Sequence, residues 1–145
     1  MRRPVSIPIA GHGRLSVLAT DREHLMLLAA EHGLAVTWVP EQLARYAAFP
    51  TERKVVIPEP IDDITYAAGL HEIGHCVEPE AYTLDLPASK VPAPVLLAEE
   101  EAAWRWARAT ASHWTPEMEA EVERCLATYR RRVERPVTIF QATPK

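Results

Sequence analysis

The chain has 145 residues, 48% of them hydrophobic and 25% charged, with a net charge of −4. That balance describes a globular domain long enough to bury a core. It argues against a general nucleic-acid-binding surface, and two cysteines are too few for a disulfide framework or a cysteine-rich zinc module. No apolar run approaches the roughly 20 residues of a membrane span. Pro4 and Pro8 interrupt the segment after Arg2 and Arg3, so no signal-peptide core is recognised. The expectation is a cytoplasmic, reduced protein.

Residues 1–13 are punctuated by proline and glycine. Val5 to Ile9 alternates weakly and predicts a short edge strand, where a proline is tolerated. Gly11-His12-Gly13 is a turn, with His12 read as solvated. Leu15 to Ala19 predicts a second strand. Thr20-Asp21-Arg22-Glu23 has the pattern of a capping box. A helix continues through Leu25, Leu28 and Ala29 to about His32, and Gly33 stands where a terminating glycine belongs. His24 and His32 are read as surface residues of this helix. Ala35 to Val39, rich in β-branched and aromatic residues, predicts a strand. Pro40 opens a short helix, Glu41 to Ala48, closed by Pro50. Lys54 to Ile57 predicts a strand stopped by Pro58 and Pro60.

Asp62 or Asp63 caps the next helix, about Ile64 to Val77. Ile64, Ala67, Ala68, His71 and His75 share one face of it, at spacings of three and four. Glu78, Pro79, Pro87, Pro92 and Pro94 make residues 78–94 a loop. A loop of that length in a small domain is usually functional or tied down, and Tyr82, Asp85 and Lys90 are its polar residues of interest. A third long helix runs from about Val95 to Ser112. The fourth has Thr115 as N-cap and Pro116 in the first turn, and ends near Arg132, with Arg130, Arg131 and Arg132 complementing its dipole. Val137 to Phe140 predicts a short terminal strand or a docked tail. No repeat or linker divides the chain, so residues 1–145 are expected to form a single domain with a core from about 15 to 132.

His71-Glu72-Ile73-Gly74-His75 spells H-E-x-x-H. Residues four apart lie on one helical face, about 6 Å along the axis. Two imidazoles so placed can bind one Zn2+, and the glutamate between them can act as general base on a zinc-bound water. Five letters alone are a weak signal, so their context has to decide. Gly74 costs its helix about 1 kcal/mol against alanine, which implies close approach of a neighbour there. Cys76 points about 100° away from His75 round the helix and is read as a packing residue.

A catalytic zinc takes three protein ligands, so a third is required. Glu99-Glu100-Glu101 on the third helix is the best source. Glu101, with Arg105 and Arg108 four and seven residues on, suits an ion-paired outer face. Glu100 shares its face with Ala103, Trp104, Ala107, Ala111 and Trp114, and a carboxylate among such residues is costly unless paired or metal-bound. Glu100 therefore ranks first, ahead of Glu99 and Asp85.

His71-Glu72-Ile73-Gly74-His75, with Glu100-Glu101-Ala102-Ala103-Trp104-Arg105-Trp106-Ala107 after the loop, resembles the gluzincin peptidases of the ImmA/IrrE type over roughly residues 35 to 114. Those carry H-E-x-x-H and then E-x-x-A-N-x-F-A, whose first glutamate is the third zinc ligand. The resemblance puts that ligand on Glu100. Trp104 stands at the family's asparagine and Trp106 at its phenylalanine, and the usual Leu-Leu-x-Pro ending is missing after Ala107. The resemblance implies an α+β, zincin-like fold: a short mixed sheet packed on the H-E-x-x-H helix, with further C-terminal helices. It also implies a zinc-dependent endopeptidase, of bacterial or phage origin, acting on a specific protein target. In that mechanism His71, His75 and Glu100 hold Zn2+, Glu72 is the base, and Tyr82 or His113 steadies the oxyanion. The partner is a protein or peptide substrate, with no nucleic acid or membrane. Lys54 to Ile57 is the candidate strand for pairing with substrate backbone. The alternative is a non-catalytic zinc-binding regulatory module on the same scaffold.

Overall fold

A computed structural model describes residues 2–9, 13–40 and 46–134, the side chains of 7–9 and 13–17 excepted. His12 and Val137–Phe140 lie outside the described residues. The fold is built round the H-E-x-x-H helix, Asp63–Val77. In chain order the elements are β1 (Val5–Ile9), β2 (Gly13–Val17), α1 (Asp21–Glu31), β3 (Ala35–Val39), β4 (Ala47–Phe49), β5 (Lys54–Pro58), α2 (Asp63–Val77), α3 (Ala93–Thr110) and α4 (Pro116–Glu134). Short 3-10 turns at Pro79–Ala81 and Ala88–Lys90 lie between α2 and α3. The class is α+β. Among the described residues, no helix is long and apolar enough to cross a membrane.

Local chemistry sets the boundaries. Thr20 and Glu23 form the capping box of α1, each side chain accepting from the other's backbone, at 3.1 and 2.9 Å. Gly33 ends that helix at φ 66°, a conformation only glycine adopts freely. Asp62, not Asp63, caps α2, accepting from the Thr65 N–H at 2.8 Å. Its helix stops before Pro79, with Glu78 extended as a residue before proline prefers. Thr115 caps α4 by accepting from the Met118 N–H at 3.2 Å.

β1 and β2 form an antiparallel hairpin. The second strand lies two residues earlier than its side-chain pattern suggests. The main sheet has the order β3-β5-β4, with β3 parallel and β4 antiparallel to β5. Two expectations are corrected here. Ala47 and Ala48 belong to a strand rather than to the end of a helix, because Ala47, Ala48 and Phe49 pair with Val56, Val55 and Lys54; residues 41–45 lie outside the described residues. The Lys54–Ile57 segment, β5, is the central strand, so its hydrogen-bonding edges are both used and it cannot take a substrate strand.

Val55 and Ile57 of β5 are fully buried under α2, together with Leu25 of α1 and Tyr66, Leu70 and Ile73 of α2. Trp104 and Ala107 of α3 and Met118, Val122 and Leu126 of α4 complete this cluster. Gly74 is where α2 and α3 touch: a Cβ there would meet the Ala103 carbonyl oxygen at 2.9 Å and Trp106 at 3.2 Å. Arg53, at φ 57°, donates to Cys76 O at 2.8 Å and His32 O at 2.6 Å. It thereby puts a cation at the C-terminal ends of both α1 and α2. Arg108 makes a two-pronged ion pair with Glu119, at 2.9 and 2.8 Å, that fastens α4 to α3.

Candidate metal and catalytic site

α2 presents His71 and His75 one turn apart, and α3 crosses at Gly74 closely enough to bring Glu100 between them. His71 Nε2 lies 2.8 Å from Glu100 Oε1, His75 Nε2 lies 2.8 Å from Glu100 Oε2, and the two Nε2 atoms are 3.2 Å apart. All three residues are largely buried, with side-chain exposures of 10–14%. Glu99 goes elsewhere: its Oε2 accepts from the Thr83 N–H at 2.7 Å and the Thr83 hydroxyl at 2.6 Å. Asp85 is exposed and accepts from the Tyr82 hydroxyl at 2.5 Å. Of the three carboxylates weighed from sequence, Glu100 alone joins the histidines.

The chemistry of the donor set bears on whether a cation fits. His75 Nδ1 donates to the Ala81 carbonyl oxygen at 2.9 Å, which leaves its Nε2 with a lone pair. That lone pair faces a second imidazole nitrogen and a carboxylate. Such a group needs a proton or a metal ion at its centre. Protons can fill the role: burial pulls His71 down, but the Glu100 and Glu72 carboxylates outweigh it and hold it at about 9. His75 is raised as well, burial opposing and Glu100 winning. Burial opposes ionisation of Glu100 too, yet the two imidazoles hold it well below the usual carboxylate range. Two neutral imidazole nitrogens and one carboxylate oxygen are also a recurrent donor set for catalytic zinc. Donors about 2.0–2.2 Å from zinc stand about 3.3–3.5 Å apart in a tetrahedron, and one ligand-type atom from each of these three residues lies within 4.8 Å of the others. The residues fit the metal.

The surroundings orient the two histidines. The indole of Trp104 stacks on the His71 ring, with centroids 4.2 Å apart and planes 17° apart. It occupies the place where the resembled family has an asparagine, and it fixes the imidazole by packing rather than by a hydrogen bond. The Trp104 Nε1 is buried with no hydrogen-bond partner among the described residues. Glu72 lies beside the cluster, Oε2 at 3.2 Å from His71 Nδ1.

Two clefts meet over this centre. One, about 300 Å3, lies against the 78–92 loop and β4, with Glu72, His75, Glu99 and Glu100 on its floor. The other, about 270 Å3, lies against α4 and shares Glu72 and Glu100 with the first. Tyr82 lines the loop-side cleft, and its hydroxyl is engaged by Asp85 and, at 3.3 Å, by Thr51. Tyr46 and Tyr129, which sequence reasoning missed, line the α4-side cleft. Tyr129 had a findable signal: it stands on the α4 face that carries Glu121, Cys125 and Thr128 at spacings of three and four.

His113 is a correction. It is buried at the other end of α2, with Nε2 2.9 Å from Asp63 Oδ1 and its ring stacked on Tyr66. Asp63 is eight residues before His71, about 12 Å along the helix, so His113 does not face the His71–His75–Glu100 cluster. His24, expected at the surface, is buried in the same network, with Nδ1 2.6 Å from the Tyr66 hydroxyl. Asp21, Asp63 and His113 also bring ligand-type atoms within 4.8 Å of one another. There Arg2 donates to Asp21 and His113 Nε2 lies against Asp63, so each carboxylate already has a protein partner.

The chain matches no protein-family model, no curated protein and no solved structure.

Proposed function

We propose that this protein is a zinc-dependent endopeptidase of gluzincin-like type, with His71, His75 and Glu100 as ligands and Glu72 as general base. The observation that carries the reading is the convergence of two imidazoles and a buried carboxylate from two helices, with Glu72 beside them, beneath two open clefts. A purely structural site has no need of clefts on both sides of its ligands. Zinc, when bound, supplies Lewis acidity that polarises a carbonyl and acidifies water. Glu72 takes the proton of the attacking water and passes it to the leaving nitrogen. Ala81 O and Trp104 keep the His75 and His71 rings aimed inward. Tyr129 is the better-placed oxyanion donor: among the described residues no hydrogen bond engages its hydroxyl, whereas that of Tyr82 is held by Asp85. β4, an edge strand beside the loop-side cleft, is the strand available for pairing with an extended substrate.

One observation favours a non-catalytic zinc module. The Glu72 carboxylate sits on His71 Nδ1, where a carboxylate also serves simply to orient a ligand. A Glu72→Gln variant separates the two. For the peptidase it keeps one zinc per chain and loses cleavage of a peptide library by about 100-fold or more. If the wild-type protein holds zinc and cleaves no peptide, or if Glu72→Gln cleaves as well as wild type, the peptidase reading fails.

A further inference from the structure

The two clefts differ in chemistry. The α4-side cleft is walled by Tyr46, Trp104 and Tyr129, with the Glu121–Arg124 ion pair in its lining. The loop-side cleft is walled by Leu84, Leu86 and Val91 of the loop, Leu96 of α3, and Ala47 and Ala48 of β4. Leu84, Val91 and Leu96 are half-buried yet are not members of the hydrophobic core, and Leu86 is 48% exposed. Their apolar surface faces the cleft, and the two alanines leave it room. The carboxylates on its floor already have partners, Glu99 in Thr83, Glu100 in the two imidazoles and Glu72 in His71 Nδ1. Among the described residues no lysine or arginine lines it to neutralise an acidic side chain. Because Glu72 and Glu100 belong to both clefts, a chain crossing the reactive centre puts one neighbouring side chain into each.

We infer that the loop-side cleft is the specificity pocket for the residue beside the scissile bond, and that it selects a branched aliphatic side chain. This rests on the peptidase reading. It makes Leu86 and Val91 specificity-determining residues, because both line the pocket without belonging to the histidine–glutamate cluster or to the hydrophobic core. A volume of about 300 Å3 lies at the lower end of the range for small-molecule sites and suits one side chain rather than a large ligand.

The test uses the zinc-loaded full chain and three probes that chelate zinc while carrying one side chain each: glycine, leucine and aspartate hydroxamates, titrated calorimetrically. Leucine hydroxamate should bind about 10-fold or more tightly than glycine hydroxamate, and aspartate hydroxamate more weakly than glycine. Leu86→Asp and Val91→Asp should bring leucine and glycine hydroxamates near parity. Zinc content and circular dichroism report whether each variant folds, and Leu86 is exposed enough that the fold does not depend on it. Equal binding of the glycine and leucine probes to wild type overturns the pocket alone, as does a leucine preference undiminished in both variants. No binding of any probe to a protein that holds zinc overturns the pocket and the peptidase reading together.

Discussion

The Glu99 carboxylate accepts two hydrogen bonds from Thr83, at 2.7 and 2.6 Å, while its neighbour Glu100 lies 2.8 Å from both His71 and His75. Adjacent glutamates on one helix therefore do different work. Glu100 joins the two histidines, and Glu99 ties the loop to α3. The tie bears on the histidine cluster, because Thr83 is two residues from Ala81, whose carbonyl oxygen accepts from His75.

Glu100→Ala should reduce zinc affinity by more than the roughly 10- to 100-fold that loss of an orienting group costs. Glu99→Ala should keep stoichiometric zinc but cost about 1 kcal/mol of stability, since it removes two hydrogen bonds to Thr83, whose donors are then left to water. It should also speed hydrogen exchange across residues 80–91. Metal analysis and exchange mass spectrometry read both effects, and zinc loss in Glu99→Ala with retention in Glu100→Ala would reverse the assignment.

Tyr129→Phe should lower kcat by about 100-fold with KM and zinc content unchanged, the mark of a donor that acts on the transition state. Tyr82→Phe should change kcat much less, because its hydroxyl proton is given to Asp85. Steady-state kinetics on one cleaved peptide compares them, and the reverse order would return the role to Tyr82.

Gly74→Ala should destabilise the fold by about 1–3 kcal/mol, although alanine is the better helix former by about 1 kcal/mol. The added Cβ would meet the Ala103 carbonyl oxygen at 2.9 Å, and a backbone atom inside a helix cannot step aside as a side chain can. Urea unfolding gives the difference. Stabilisation would mean that α2 and α3 have slack where the site is built.

Burial lowers the pKa of His24 below its ordinary value of 6.5. The unfolded chain then binds the proton more readily than the native protein. The contribution of neutral His24 to stability is therefore full above about pH 6.5 and is lost as pH falls towards the lower native value. His71 and His75 are shifted upward and act in the opposite sense, so the comparison must be with a variant. Between pH 7.5 and 5.5 the wild type should lose more stability than His24→Gln, measured by urea midpoints. Parallel losses would show that His24 does not carry the effect.

Much of this was legible in the residues themselves. The α1 capping box, the α2 helix with its paired histidines, and the anomaly of Glu100 on an apolar face come from spacing, because a helix fixes which side chains share a face. The penalty of Gly74 pointed to a close approach, and Ala103 proves to be its partner. Spacing did not identify β4, since Ala47-Ala48-Phe49 is too short to carry a period, and only pairing with β5 makes it a strand. Nor could it place His113 or His24. Each lies on or beside a helix whose pattern permits either a surface or a buried position, and the Tyr66 network holds both. The amino-acid sequence determined the helices and the side chains that share each of their faces, which are local properties. The tertiary structure decided which glutamate meets the histidines, that Ala47–Phe49 pairs along β5, and which tyrosines line each cleft. Those depend on the angle and depth at which α3 and α4 pack on α2, and such distances are set by every contact in the core at once.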